Sequence, residues 1–126
     1  GGRLAMAHQT AARFYQRTAY IPFGGIAFDS AEGERLAEAQ KANPHADVLF
    51  LEHHGVSIGG PTIAVAFDDL YYLERACRQQ ILAQSTGQPL KEMSEQLTRE
   101  TARQWMQALV PQAEKHFAAL LRVNGL

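Results

Sequence analysis

The stretch Asp47-Val-Leu-Phe-Leu-Glu-His-His-Gly-Val-Ser-Ile-Gly-Gly-Pro-Thr62 decides how this chain folds. Its continuous apolar run, residues 48–51, predicts a strand that is covered on both faces. Two adjacent histidines follow the run, and residues 56–58 return after a glycine as a second short strand. The closing Pro-Thr pair predicts the start of a helix, because proline suits the first helical turn. We therefore expect a strand, a glycine-bounded return and a long helix in this order.

Working outward towards the N-terminus, the pattern predicts a helix, an extended segment and a second helix. Apolar spacing over residues 4–16 suits a short helix or helical turn. Residues 18–28 are rich in β-formers, but Pro22 and a glycine pair interrupt them, which favours an edge strand or a bulged loop. Asp29 and Ser30 offer N-cap oxygens for a helix over residues 31–41, which an Asn-Pro pair ends.

Working outward towards the C-terminus, two long helical patterns follow one another. The first places one apolar stripe on a single helical face, at Ile63, Phe67, Leu70, Leu73, Cys77 and Ile81. A short Gly-Gln-Pro linker ends it, and Ser94 then caps the second helix. The stripe of that helix consists of Leu97, Thr101, Trp105 and Leu109. Pro111 should kink or divide the helix, because its ring removes a hydrogen bond and clashes with the preceding turn.

Composition indicates one ordinary globular domain over residues 1–126. Of the 126 residues, 46% are hydrophobic and 20% are charged, and the net charge is -1. This charge gives no general attraction to nucleic acid or to an anionic membrane, and no apolar run is long enough to span a bilayer. The single cysteine, Cys77, cannot form an intrachain disulfide and fits a reducing compartment. We therefore predict a cytoplasmic location.

His53 and His54 are the residues of this chain best suited to chemistry. An imidazole at the end of a buried strand can bind a metal from a rigid element. Because neighbouring side chains of a strand point to opposite faces, only one of the two can face a given site. Zinc needs about three protein ligands, so the residues alone leave metal ligation and a hydrogen-bonded structural role both open. Glu52 could orient an imidazole, although a solvated edge carboxylate is the reading we favour.

Other conspicuous side chains have simpler explanations. Neither glycine pair, at residues 24–25 or 59–60, fits a phosphate-binding or dinucleotide fingerprint, and turn geometry accounts for both. Cys77 falls on the apolar stripe and is predicted to be a small core residue. We expect packing or interface roles for the aromatic and imidazole side chains of the two long helices, Tyr71, Tyr72, Trp105 and His116.

Several segments in order resemble the class II aldolase/adducin family. The histidine-glycine stretch continues into Ala66-Phe-Asp-Asp-Leu-Tyr-Tyr-Leu-Glu-Arg-Ala-Cys77, which is similar to the helix that follows it in that family. Two earlier segments, Phe23-Gly-Gly-Ile-Ala-Phe28 and Ala31-Glu-Gly-Glu-Arg-Leu-Ala37, resemble the corresponding family stretch. The resemblance implies an α/β fold, the three-layer α/β/α sandwich of this family, here expected to be incomplete at its N-terminus.

The resemblance also implies a metal ligand. The family's histidine before this glycine is the third imidazole on a divalent metal, usually zinc, and by position it is His54. His53 stands where such proteins often have asparagine, so no ligand role is assigned to it. The family's other two ligands form a His-x-His pair that would fall just before Gly1, and its acid/base glutamate lies further upstream. We therefore expect this chain to be the C-terminal portion of a longer protein, and we assign no catalytic residue within it.

The resemblance implies that the protein is a metal-dependent carbon–carbon lyase of the class II aldolase type, or a fragment of one. The metal would polarise a carbonyl of a small hydroxy-carbonyl or sugar-like substrate and stabilise an enediolate, which serves aldol cleavage, epimerisation and decarboxylation alike. Members are commonly tetramers with active sites at subunit boundaries, so a homotetramer is expected. The alternative is a non-catalytic, adducin-like assembly module. A nucleic-acid binder is disfavoured, because the sequence has no basic stripe.

Overall fold

The computed structural model describes residues 2–26 and 31–126, which form two compact units. One unit comprises residues 16–26 and 31–59, and the other comprises residues 2–15 and 60–126. The elements in chain order are α1 (Gln9–Ala12), β1 (Thr18–Ile21), α2 (Ala31–Ala42), β2 (Val48–Leu51), β3 (Gly55–Ile58), α3 (Ile63–Gln84) and α4 (Glu95–Val123). No helix in these ranges is both long and apolar enough to cross a membrane.

The first unit, which we call the sheet unit, is a three-stranded mixed sheet with one helix. Its strand order is β1-β2-β3, with β1 parallel to β2 and β2 antiparallel to β3. Parallel neighbours need a crossover connection, and α2 supplies it. Small and branched side chains form the core between α2 and the sheet, namely Ala19, Ile21, Ala46 and Leu49, with Leu36, Ala39 and Leu51 against them. This arrangement fixes the carboxyl ends of β1 and β2 at the same edge.

The predicted strand at residues 48–51 is confirmed, and the extended segment before it is shorter than predicted. β2 is buried at Val48 and Leu49 and half-buried at its last two residues, so it is covered less completely than a continuous apolar run implies. β1 ends at Ile21, since the following Pro22 has no backbone N–H to donate to a ladder. The predicted N-cap at Asp29 and Ser30 lies outside the described residues.

The second unit, which we call the helical unit, packs α1 and the long helices α3 and α4 together. Thr62 Oγ1 accepts a hydrogen bond from the Val65 N–H at 3.2 Å and caps α3. The predicted cap of α4 is confirmed, with Ser94 Oγ accepting from the Leu97 N–H at 3.3 Å. α1 spans four residues, which agrees with the short helix or helical turn predicted within residues 4–16.

The apolar stripes predicted for the two long helices are partly wrong. On α3, Leu73 is buried, but Ile63 and Ile81 are mostly exposed. The buried face of α3 carries two carboxylates among its apolar side chains, and its members are Val65, Asp68, Asp69, Leu73 and Ala76. On α4, Leu97 is exposed and its neighbour Thr98 is buried. The hydrophobic spacing predicted the wrong buried faces for α3 and α4, because an ionic cluster, described below, lies where an apolar core was expected.

Pro111 does not divide the last helix. α4 runs from Glu95 to Val123 through the proline without interruption. The missing N–H costs one hydrogen bond, yet side chains on both sides of the proline pack within the helical unit. Trp105 packs on Tyr72, and Ala113 is fully buried. Tertiary packing therefore outweighs the tendency of Pro111 to end the helix.

Candidate functional site

Glu52, His53 and His54 form the turn between β2 and β3, which we call the histidine turn. The strand alternation expected for the two histidines is wrong, because β2 ends at Leu51 and the chain reverses at once. The backbone carbonyl of Leu51 accepts a hydrogen bond from the His54 N–H at 3.1 Å and closes the turn. All three side chains of the turn are exposed. Strand alternation therefore does not direct the two imidazoles to opposite faces of the sheet. The geometry of the turn sets their orientation instead.

The histidine turn lies at the edge of the sheet where both parallel strands end. The Glu52 N–H donates to the Ile21 carbonyl at 2.9 Å, which extends the pairing of β1 and β2 by one bond. Beyond it, Glu52 Oε2 accepts a hydrogen bond from the Phe23 N–H at 3.4 Å. The rings of Phe23 and His53 meet edge to face, with centroids 5.9 Å apart and an interplanar angle of 78°. In α/β proteins ligands commonly bind outside the carboxyl ends of the strands, which is where these groups lie.

Backbone conformation distinguishes the two histidines. His53 has φ 55°, in the left-handed region, whereas His54 does not. Gly55, the first residue of β3, has φ 153°, so the residues on both sides of His54 have unusual backbone angles. Histidine, asparagine and aspartate are the non-glycine residues that most often accept a left-handed conformation. The path of the chain around His54 is therefore determined locally, by the residues on either side of it.

The residues that the structure describes do not by themselves assemble a metal centre. No three His, Cys, Asp or Glu side chains of residues 2–26 and 31–126 come together as a ligand group. His54 supplies one exposed imidazole, and a protein zinc site takes three or four ligands. Any metal bound by His54 would need ligands from outside the described residues.

A buried ionic cluster in the helical unit was not predicted from the sequence. Arg13 Nη2 lies 2.5 Å from Asp68 Oδ2, and Arg13 Nε lies 2.7 Å from Asp69 Oδ1. All three side chains are at most 1% exposed. His116 Nδ1 lies 2.6 Å from Asp68 Oδ1. We call these four residues the ionic cluster; its only sequence signal is a pair of acids within an otherwise amphipathic helix.

Aromatic rings pack around the ionic cluster, which agrees with the packing alternative predicted for them, and the interface alternative stays a prediction. The Arg13 guanidinium carbon lies 4.6 Å from the Tyr72 ring centroid and 5.2 Å from that of Trp105. The Tyr71 and His116 rings meet edge to face with centroids 4.7 Å apart. Trp105 Nε1 donates to the Gln9 carbonyl at 2.9 Å, which ties α4 to α1. Such enclosure strengthens the ion pairs and keeps water from them.

Cys77 and His8 are titratable groups of the helical unit whose environments alter their protonation. Burial, followed by the charge of Glu74, raises the pKa of the Cys77 thiol, so the half-buried thiol is a poor nucleophile. Burial lowers the pKa of His8, against a smaller opposing effect of the nearby Ala76 backbone. His8 Nδ1 accepts from the Ala11 N–H at 3.3 Å and caps α1. Both groups therefore serve packing and local structure.

The chain is similar in sequence to proteins of one known family. The model of the Class II Aldolase and Adducin N-terminal domain matches residues 1–81. Two curated proteins are similar, each named "Putative aldolase class 2 protein". The one from Caulobacter vibrioides is 38% identical over 71 residues, covering 55% of this chain and 26% of that protein. The one from Pseudomonas aeruginosa is 36% identical over 70 residues, covering 52% of this chain and 27% of that protein.

Two solved structures are similar over almost the whole chain. An aldolase II superfamily protein from Pseudomonas syringae superimposes with a TM-score of 0.82 at 32% identity, covering 94% of this chain and 47% of that one. L-fuculose 1-phosphate aldolase from Glaciozyma antarctica superimposes with a TM-score of 0.79 at 26% identity, covering 99% of this chain and 46% of that one. The chain thus spans just under half the length of these solved chains. The predicted α/β fold of the class II aldolase type is confirmed, and the chain belongs to the class II aldolase and adducin family.

Proposed function

We propose that this chain is part of a divalent-metal-dependent carbon–carbon lyase of the class II aldolase type. Similarity to L-fuculose 1-phosphate aldolase over 99% of the chain supports the proposal. Fold similarity alone is an analogy about function, so the proposal depends on a site. The observation that carries it is the position of His54, which is exposed on a hydrogen-bonded turn at the carboxyl edge of two parallel strands.

His54 would act as one ligand of the metal. A neutral imidazole is among the commonest ligands of zinc, which is the metal we propose. The bond from the His54 N–H to Leu51 and the bond from the Glu52 N–H to Ile21 hold the backbone on which the imidazole is mounted. The remaining ligands, and the group that moves protons, would come from residues outside those described. When bound, such a metal polarises a substrate carbonyl as a Lewis acid.

The proposed substrate is a small hydroxy-carbonyl or sugar-like molecule. Aldol cleavage, epimerisation and decarboxylation remain open for this chain, and aldol cleavage comes first because one similar protein is named for it. L-fuculose 1-phosphate, which appears in that name, is the first compound to test. The proposal includes a homotetramer, and the cytoplasmic location inferred from the lone Cys77 stays a prediction.

A second candidate is an adducin-like assembly module, which exposed apolar side chains of the helical unit favour. Ile63 and Ile81 on α3 are 76% and 64% exposed, and Leu97 and Val110 on α4 are also exposed. Exposed apolar side chains mark a protein-binding surface where they form one contiguous patch, so the assembly module requires that these four do so. Self-assembly would use these side chains whether or not the protein is a lyase, so metal content decides between the two functions.

The deciding experiment measures metal in the natural gene product at its full length. Wild type, His54→Ala and His45→Ala are purified without chelators and analysed for divalent metals by mass spectrometry. His45 is an exposed histidine on another loop, which makes it a matched control. We expect about one metal per chain in wild type and in His45→Ala, and little in His54→Ala. The same samples are tested for aldehyde release from L-fuculose 1-phosphate and related ketose phosphates.

Each result has one interpretation. Metal lost with His54 alone supports the lyase, and unchanged unfolding midpoints show that the loss is local. Metal retained in His54→Ala would remove His54 from the site. A metal-free wild type that sediments as an oligomer would replace the lyase with the assembly module.

A further inference from the structure

We infer that His53 is a positioning residue, whose left-handed backbone conformation sets the turn that presents the His54 imidazole. The inference rests on the proposed function, because it gives His53 a role towards the proposed ligand. His53 itself faces Phe23 rather than sharing a ligand group, so it is not assigned a catalytic role. What carries the inference is the local geometry of the histidine turn.

The hydrogen bond that closes the turn defines the positions within it. Leu51 accepts from the His54 N–H, so Leu51 is the first residue of a four-residue turn and His53 is the third. Among these residues, His53 has a positive φ and Glu52 does not. This is the pattern of φ signs of a type II turn, whose third position normally requires glycine or asparagine. The residue at position 53 therefore determines whether this turn can form.

A side chain that resists the left-handed region would displace His54. Branching at Cβ makes positive φ unfavourable, and the penalty is enough to change a local equilibrium about tenfold. If the turn opens, the His54 N–H loses its bond to Leu51 and the imidazole moves relative to the sheet edge. The edge-to-face contact of His53 with Phe23 adds a secondary restraint on the same turn.

The chain offers a matched control for backbone strain. Gln16 has φ 59°, close to the 55° of His53, and it precedes β1. The start of β1 pairs with Val48, at the end of β2 opposite to the histidine turn. A β-branched residue at position 16 therefore introduces similar strain at the other end of the sheet.

The experiment compares His53→Val, His53→Asn and Gln16→Val with wild type, all at full length. Two readouts are used: the affinity for Zn²⁺ and the hydrogen-exchange rate of the His54 amide, which reports its bond to Leu51. We expect His53→Val to weaken Zn²⁺ binding about tenfold and to speed amide exchange similarly. His53→Asn should stay within about threefold of wild type, because asparagine tolerates the left-handed region. Gln16→Val should change neither readout.

Failure of this inference and failure of the proposed function give different results. Unchanged readouts in His53→Val, equal losses in His53→Asn, or equal losses in Gln16→Val would overturn the positioning role. If wild type binds no Zn²⁺, the proposed function fails and amide exchange alone decides. Faster exchange confined to His53→Val then still supports the turn-setting role, and an unchanged rate overturns it.

Discussion

The sheet unit and the helical unit use polar side chains in opposite ways. In the sheet unit, Glu52, His53 and His54 are exposed on one turn, where water solvates them at little cost. In the helical unit, Arg13 and its two aspartates are completely enclosed and satisfied by one another. Removing one member of a buried ion pair is far more damaging than removing an exposed imidazole. The contrast separates side chains that hold the fold from side chains that are available for chemistry.

The largest effect should come from breaking the ionic cluster. Arg13→Ala would leave the carboxylates of Asp68 and Asp69 buried without their guanidinium, and should lower the free energy of unfolding by about 3–5 kcal/mol. Urea denaturation measures this. Arg103→Ala is the control, because Arg103 pairs with Glu100 on an exposed face of α4 and its removal should change nothing measurable. A loss below about 1 kcal/mol for Arg13→Ala would contradict the contrast between the two units.

A moderate effect should come from the backbone of the sheet unit. Gly55 has φ 153°, and a Cβ built there would meet no atom within 4 Å, so any cost of Gly55→Ala is conformational. We expect a loss of about 1–3 kcal/mol. Gly33→Ala in α2 is the control of opposite sign, since its Cβ also meets open space and alanine favours a helix by about 0.5–1 kcal/mol. Equal effects of the two substitutions would show that Gly55 has no special conformational role.

The smallest effect should be a pH dependence in the helical unit. Burial lowers the pKa of His8 from its ordinary value of 6.5, so the unfolded chain binds a proton at higher pH than the folded protein. His8 therefore contributes stability above pH 6.5 that is lost as the pH falls below it towards the folded pKa. His8→Asn keeps an N-cap acceptor and should weaken this acid dependence while leaving stability at pH 8 nearly unchanged. Chemical denaturation at a series of pH values tests it, and an identical acid response of both proteins would exclude His8 as the cause.

Local signals predicted the parts of the fold that depend on neighbouring residues. The apolar run gave β2 at its observed bounds, and the capping chemistry of Ser94 located the start of α4. Local signals failed where distant packing decided the outcome, as at Pro111, which does not divide α4. They also failed at the ionic cluster, because Arg13 and Asp68 are 55 residues apart and no periodicity links them.

By itself the sequence determined the elements, the family and the identity of His54 as the residue to test. Motifs and apolar runs are local, so the residues that carry them stand together in the chain. Only the tertiary structure decided that the histidines lie on a turn rather than in a strand, and that His53 takes the left-handed conformation. It alone also decided that the buried face of α3 binds an arginine. The arginine contact joins segments far apart in the sequence, and the turn depends on the pairing of β2 with β3, so a pattern within one segment contains neither.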